Sequence, residues 1–154
     1  MATQGTVVGI FTCPKAGDPM EERSVVNAIA GQGLVGDRYA DGRGSFNKGK
    51  IGLRQVTISN ARFFIGSPFL YIHSRRNLFF RDVEVLWLIG REFQVGTAIM
   101  RGVKYCDPCD RPSKLSGIAG FSEHFIDCGC IVAEVLKAGQ ISHGSLVTTA
   151  SKGY

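Results

Sequence analysis

Two cysteines separated by two residues, Cys106 and Cys109, form the part of the sequence best suited to chemistry. They follow an apolar, strand-like segment, and Pro108 between them favours a turn, which predicts an accessible thiol. Nearby cations such as Lys104 and Arg111 favour the nucleophilic thiolate over the thiol, although two neighbouring aspartates oppose this effect. The pair is therefore a candidate for nucleophilic thiol chemistry.

A second cysteine pair, Cys128 and Cys130, leaves two other interpretations open. Together with Cys106 and Cys109 it supplies four thiolates, the number that a closed tetrahedral zinc site requires. The spacing fits zinc motifs imperfectly, because one residue rather than two separates the second pair. The remaining interpretation is that the cysteines are inert, as we expect for the isolated Cys13.

A long segment without acidic residues carries much of the positive charge. The whole chain has a net charge of +5, yet the segment between Gly42 and Arg81 contains only basic charges. These are Arg43, Lys48, Lys50, Arg54, Arg62, Arg75, Arg76 and Arg81. Such segregation attracts an anionic partner, although a solvated basic face gives the same pattern. Arg75, Arg76 and Asn77 stand out, because guanidinium groups bind phosphate and carboxylate oxygens in a bidentate manner.

Two glycine-rich stretches imitate nucleotide-binding motifs without their context. Residues 31–36 match G-x-G-x-x-G, but turn-forming residues follow where a dinucleotide site needs a helix. Residues 44–50 match the start of a P-loop, but Ile51 replaces the hydroxyl residue that binds magnesium. We therefore exclude nucleotide binding of both kinds and retain residues 44–50 only as an anion contact.

The elements that must hold these residues are predicted to be mostly short β-strands. Glycine, at 20 of 154 residues, is nearly twice as frequent as usual, which indicates many turns. Strands are predicted at residues 5–11, 24–30, 52–59, 83–88, 92–95, 97–105, 131–136 and 146–149, with another after Asn77. One helix is predicted at residues 114–125, although two internal glycines weaken it. This pattern predicts a β-barrel or sandwich.

Length and composition predict a single domain spanning residues 1–154. A hydrophobic content of 44% and a charged content of 20% are typical of a globular domain. No apolar run is long enough to cross a membrane, and the five cysteines without an export signal favour the reducing cytoplasm. Nucleic-acid binding is disfavoured, because the aromatic residues at 63–71 lie in an apolar run typical of a core.

Taken together, these features resemble the MOSC domain family, the domain found at the C-terminus of molybdenum cofactor sulfurases. Short, stand-alone bacterial members are the most similar. The stretches that carry the resemblance are residues 33–39 (GLVGDRY), 54–57 (RQVT), 74–78 (SRRNL), 88–96 (LIGREFQVG), 106–109 (CDPC) and 141–144 (ISHG). They occur in the family's order and extend over nearly the whole chain.

The resemblance implies a mostly-β barrel with a few short helices, similar to the β-barrel domain of pyruvate kinase. It also implies a role with the molybdenum cofactor, molybdopterin. Family members carry sulfur as a cysteine persulfide, or hold molybdenum through a cysteine thiolate and reduce N-hydroxylated compounds. The family's key thiolate, and hence the metal ligand, matches Cys109, with Cys106 as the second catalytic candidate. The implied cofactor-binding residues are Arg54, Arg75, Arg76 and Asn77. We expect these arginines to form an anion pocket beside the two cysteines.

The resemblance implies different partners for the two activities. A sulfur carrier would accept sulfur from a pyridoxal-phosphate-dependent cysteine desulfurase. A molybdoenzyme would need a separate electron-transfer protein, because the sequence has no flavin, haem or iron–sulfur motif. The chain departs from the family pattern at Asn60, Asp82, Cys128, Cys130 and Ser145. The alternative function is therefore a non-catalytic binding module, zinc-stabilised by the four cysteines, that keeps the fold.

Overall fold

Eleven β-strands make up most of the regular structure of the computed structural model, which describes residues 3–44 and 52–149. The strands are β1 (Thr3–Thr12), β2 (Glu21–Glu22), β3 (Val25–Ile29), β4 (Gly33–Leu34), β5 (Val56–Asn60), β6 (Leu78–Arg81), β7 (Glu92–Val95), β8 (Ala98–Tyr105), β9 (Cys130–Lys137), β10 (Gly139–Ser142) and β11 (Leu146–Thr149). The helices of this part of the chain are α1 (Arg111–Ser116), α2 (Phe121–His124) and 3-10 helices at Ala61–Phe64, Tyr71–Ser74 and Val85–Leu88. The P-loop-like stretch lies outside the described residues, apart from its first glycine.

Seven of these strands close into a barrel. Their order is β1-β6-β5-β9-β8-β7-β11, and β11 pairs with β1 to complete the ring. Neighbours are antiparallel except β5 and β6, which are parallel. A parallel pair needs a crossover connection, and residues 61–77 provide it with two of the 3-10 helices. Strand β2 pairs with β1, whereas β10, β3 and β4 form a three-stranded sheet of their own.

The barrel encloses the larger hydrophobic cluster, and strand β9 shows how the two faces of the wall differ. Its residues Ile131, Ala133 and Val135 are buried in this inner core. Cys130 and Val132 belong to a separate small cluster. Because successive residues of a strand point to opposite faces, this alternation places the cysteine on the outer face of the wall.

An aromatic layer covers the outer face of β1 and β6. Phe11 and Phe79 come from these strands, and Phe64, Phe121 and Phe125 come from the connecting segments. The rings meet edge to face, with centroids 5.6 Å apart for Phe11 and Phe79 and 5.3 Å apart for Phe64 and Phe79. Such pairs add about 0.5–1.5 kcal/mol beyond the burial of their surface. The layer thus fixes α2 and the crossover segment against the barrel.

The structure corrects two local predictions and adds a strand. Residues 83–88 contain a 3-10 helix at Val85–Leu88 rather than a strand. The single helix predicted at 114–125 is two helices, because Gly117 and Gly120 adopt left-handed φ angles of 77° and 88° between them. Strand β10 was not predicted. None of the helices in the described ranges is long and apolar enough to span a membrane.

Candidate functional site

Two cysteines lie side by side where β8 ends and β9 begins. Cys106 follows the last residue of β8, Tyr105, which pairs with Ile131 of β9. The Cys106 N–H donates to the carbonyl of Cys130 at 2.8 Å, so this register continues to the two cysteines. Both thiols pack with Val132 on the outer face of the wall. The site is therefore outside the barrel core, on a rigid pair of strands.

A cavity of about 230 Å³ opens next to Cys106. Its cationic lining residues are Arg38, Arg54, Arg75, Arg76, Lys104 and Arg111. Asp107 is the carboxylate among the described lining residues, and Cys109 lies exposed in the same lining. The structure thus brings together the arginines and the two cysteines that the sequence analysis expected around an anion pocket. Their functional roles stay predictions.

The sulfur of Cys106 is surrounded by hydrogen-bond donors. Arg76 Nη1 donates to Cys106 Sγ, and Arg54 Nη2 donates to the same atom at 3.5 Å. The hydrogen bond from the thiol of Cys130 lowers the pKa of Cys106 to about 4, and the two guanidinium groups add to this effect against burial. Cys106 is only 4% exposed. It is therefore a buried thiolate at neutral pH.

Of the two neighbouring cysteines, only Cys106 carries a negative charge at neutral pH. Burial raises the pKa of Cys130 well above its ordinary value, and the charge of Cys106 raises it further. Burial by itself lowers the pKa of Arg76. Electrostatic attraction to Cys130 and Cys106 outweighs burial, so the pKa of Arg76 is raised overall. The cluster therefore contains a thiolate at Cys106, a neutral thiol at Cys130 and a buried cation at Arg76.

One wall of the pocket is built by the stretch that follows β4. The carboxylate of Asp37 is fully buried and accepts the N–H of Cys13 at 3.1 Å and of Tyr39 at 3.3 Å. Arg38 Nη1 donates to Asp37 at 3.1 Å, and the Arg38 guanidinium lies 4.3 Å from the centroid of the Tyr39 ring. Arg54 packs on the same ring at 5.4 Å. The Tyr39 ring therefore holds two pocket arginines in place.

Sequence reasoning gave this wall no role in the site. Asp37, Arg38 and Tyr39 contributed to the family resemblance but were not named as binding residues. The signal that could have found them is their composition, because an acidic, a basic and an aromatic residue stand together in a glycine-rich turn. Burial of such a trio requires that the charges pair with each other.

Arg75 occupies a strained position at the pocket. It follows the 3-10 helix Tyr71–Ser74 with a left-handed φ of 60°, and its Nη2 donates to Cys13 Sγ at 3.5 Å. Burial lowers the pKa of Arg75, and repulsion from Arg38 and Arg111 adds to this in spite of the attraction of Cys13. An anion bound here would relieve the crowding of these cations.

Asn77 is not among the residues that line the pocket, and its assignment as a cofactor-binding residue stays a prediction. Its side chain is fully buried. Its Oδ1 accepts the N–H and the hydroxyl of Thr57 at 2.9 and 3.0 Å, and its Nδ2 donates to the carbonyl of Phe11 at 3.1 Å. These bonds tie β5 and β1 to the segment before β6. Asn77 therefore acts on the site by fixing the backbone that carries Arg76.

The four cysteines do not converge. Cys109 is exposed at the pocket, Cys128 is half-buried, and Cys106 and Cys130 are buried as a pair. Within residues 3–44 and 52–149, no group of three or more His, Cys, Asp or Glu side chains is arranged to hold a metal ion. The zinc-stabilised alternative therefore has no support in the geometry of the thiols.

Comparisons with known proteins identify the fold. No family model matches the chain, and no curated protein matches it significantly. The solved structure of the YUAD protein from Bacillus subtilis is similar, with a TM-score of 0.75 and 15% identity over 98% of this chain and 99% of that chain. YiiM from Geobacillus stearothermophilus has a TM-score of 0.71 and 13% identity over 97% and 76%. YiiM from Escherichia coli has a TM-score of 0.66 and 14% identity over 96% and 71%.

These similarities concern the fold alone, because the identities are low. They extend over almost the whole of this chain. The expectation of a mostly-β barrel with a few short helices is confirmed.

Proposed function

We propose that this protein binds the molybdenum cofactor in the cationic pocket, or carries sulfur for that cofactor as a cysteine persulfide. The observation that carries the proposal is the Cys106 thiolate, held by Arg76 and Arg54 beside a pocket that also contains the exposed Cys109. A stabilised thiolate next to an anion-binding surface suits both forms of the function.

The residues of the pocket fit an anionic cofactor. Arg75, Arg111 and Lys104 would hold a phosphate group, and the thiolate of Cys109 would hold the molybdenum. At about 230 Å³ the cavity is just below the size of most small-molecule sites, about 300–1,000 Å³, so a pterin would extend out of its mouth. The bound cofactor would supply two-electron redox chemistry toward N-hydroxylated substrates, with electrons from a separate electron-transfer protein.

The same residues suit a sulfur carrier. A protein donor such as a pyridoxal-phosphate cysteine desulfurase can reach only an exposed thiol, and Cys109 meets this condition. A persulfide keeps its negative charge after the transfer, and guanidinium groups stabilise such an anion. Free thiols of this kind belong in a reducing compartment such as the cytoplasm. The non-catalytic alternative is a module that binds an anion in this pocket without thiol chemistry.

The test is to produce the protein together with the cofactor biosynthesis enzymes and to measure bound molybdenum and pterin per chain. In parallel, persulfide is measured by mass spectrometry after incubation with a cysteine desulfurase.

We expect persulfide, or molybdenum, in the wild type, none in Cys109→Ala, a lower yield in Cys106→Ala and no change in Cys128→Ala. Equal persulfide in wild type and Cys109→Ala would move the assignment to Cys106. Absence of pterin, molybdenum and persulfide from the wild type would favour the non-catalytic module.

A further inference from the structure

Cys106 and Cys130 have the geometry of a thiol pair that can form a disulfide. They are directly opposite each other in the antiparallel register of β8 and β9. The Cα atoms of such opposed residues are about 4.5–5.5 Å apart, which is within the range of about 4.4–6.8 Å found in disulfides. Their side chains pack together with Val132 on the same face of the barrel wall. The backbone spacing of such a pair is therefore compatible with a disulfide bond.

A second, small cavity adjoins this pair. Its volume is about 10 Å³, which is enough for a single water-sized atom. It is lined by Cys106, Cys130, Cys128 and Arg76 and closed by aromatic rings of the outer layer. The cavity therefore has room for one additional atom beside the thiol pair, and Arg76 supplies a positive charge next to it. An extra sulfur on Cys106 requires both.

We propose that Cys130 is the resolving thiol of Cys106. The Cys106 thiolate first takes the outer sulfur from a persulfide on the exposed Cys109, which leaves as a thiolate, and Cys130 then releases that sulfur from Cys106 as hydrosulfide. In this step Cys130 Sγ attacks Cys106 Sγ, the bond between Cys106 Sγ and the outer sulfur breaks, and the Cys106–Cys130 disulfide forms. The outer sulfur leaves with the electron pair of the broken bond and the proton of the Cys130 thiol. The sulfur of Cys130 is oxidised and the outer sulfur is reduced, so the step needs no further oxidant or reductant.

The surrounding charges support this direction of attack. Arg76 donates to Cys106 Sγ and lines the same small cavity as Cys130, so it balances the negative charge at the start and in the leaving hydrosulfide. Burial keeps Cys130 protonated by raising its pKa, so its proton is available to the leaving sulfur. Cys106 is 4% and Cys130 is 7% exposed, so an external donor loads the exposed Cys109 instead, and Cys130 reacts with its neighbour. A dithiol reductant then restores the two thiols and completes the cycle.

This inference rests on the proposed function in its sulfur-carrying form, and inorganic polysulfide is the probe. The full-length protein is incubated anaerobically with polysulfide, freed of excess reagent, blocked with an alkylating agent and digested with trypsin without reduction. Cys106 then lies in the peptide of residues 105–114, and Cys130 lies in the peptide of residues 115–137. Fragment ions distinguish the two cysteines within each peptide.

In the wild type we expect the two peptides to be joined by a Cys106–Cys130 disulfide and hydrosulfide to be released. In Cys130→Ser we expect Cys106 to retain one extra sulfur, with release slowed at least about tenfold. Cys128→Ser, the matched control from the same peptide, should behave like the wild type. The disulfide in the wild type is a readout that does not depend on how well a variant folds.

The outcomes separate this inference from the proposed function. If both wild type and Cys130→Ser retain persulfide and neither forms the disulfide, the resolving role of Cys130 is wrong while sulfur carriage stands. The same conclusion follows if the cross-link joins Cys109 or Cys128 instead. If no cysteine of either protein takes up sulfur, the sulfur-carrying function fails, and the inference fails with it.

Discussion

Arg76 is the residue on which the charge balance of the site depends. It is 8% exposed and donates to the Cys106 thiolate. Removing one partner of a buried ion pair leaves the other charge uncompensated, which costs about 3–5 kcal/mol unless a proton neutralises it. The thiolate can take up a proton, whereas a guanidinium cannot lose one at ordinary pH. Loss of Arg76 should therefore change the protonation state of Cys106 rather than only the stability of the fold.

We predict that Arg76→Met raises the pKa of Cys106 from about 4 toward the ordinary thiol value of 9.0. The wild-type thiolate should be present from about pH 5 upward, whereas the variant should be mainly protonated at neutral pH. The measurement is the ultraviolet absorbance of thiolate against pH, with Cys106→Ser subtracted. Arg111→Met, at an exposed pocket residue, is the control and should leave the titration unchanged. An unaltered curve in Arg76→Met would show that Cys130 and Arg54 alone hold the charge.

The loop that enters β9 determines where Cys130 stands. Gly129 has a left-handed φ of 58°, and a Cβ atom on it would lie 2.0 Å from Asn60 Nδ2. That amide cannot easily move, because Asn60 also donates to Glu84 and accepts the N–H of Val85 at 3.1 Å. A side chain at this position therefore meets both backbone strain and a steric clash. The spacing of the second cysteine pair thus has a structural reason that a zinc motif does not explain.

We predict that Gly129→Ala lowers the free energy of unfolding by about 2–4 kcal/mol, from the combined strain and clash. Gly117→Ala is the matched control, because Gly117 also has a positive φ of 77° but no atom within 4 Å of its Cβ direction. It should cost only about 1 kcal/mol. Denaturant unfolding of both variants measures the difference. Equal losses would show that Asn60 moves aside and that the loop does not constrain Cys130.

At the scale of the whole molecule, the positive field of the pocket is assembled from distant segments. The acid-free segment supplies Arg54, Arg75 and Arg76, and the cations from outside it are Arg38, Lys104 and Arg111. Other charges of that segment serve elsewhere, since Arg62 pairs with Glu84 and Arg81 pairs with Asp82. The barrel therefore concentrates charge on one outer face more strongly than the sequence distribution indicates.

We predict that inorganic phosphate binds in this pocket with an affinity that falls as salt increases, because the Debye length shortens to about 8 Å at physiological ionic strength. Arg75→Gln should weaken binding by about tenfold, through loss of one charge-assisted contact. Arg91→Gln removes an exposed arginine that does not line the pocket, and it should leave the affinity unchanged. Titration calorimetry at two salt concentrations measures both effects. Equal losses in the two variants would indicate a diffuse basic surface instead of a pocket.

The sequence by itself determined the class of the fold and the types of residue at the site. Glycine-separated runs of β-branched residues predict β-strands from local sequence alone, so a mostly-β barrel or sandwich followed from the pattern. The resemblance to the MOSC family implied the barrel. The cysteines Cys106 and Cys109 and the nearby arginines could also be identified as candidate site residues, because residue type and short spacing are local properties of the sequence. The 3-10 helix at Val85–Leu88 escaped prediction, because a short apolar run has no distinguishing period.

Only the tertiary structure decided which of these residues act together. Cys106 and Cys130 are opposed because β8 and β9 pair in one register, and a shift of one residue would turn Cys130 into the core. Arg76 reaches the sulfur of Cys106 although 30 positions separate them. Asn77, next to Arg76 in the chain, faces the strands instead of the pocket. Register and strand order depend on the packing of the whole barrel, and local sequence patterns contain no information about such distant pairings.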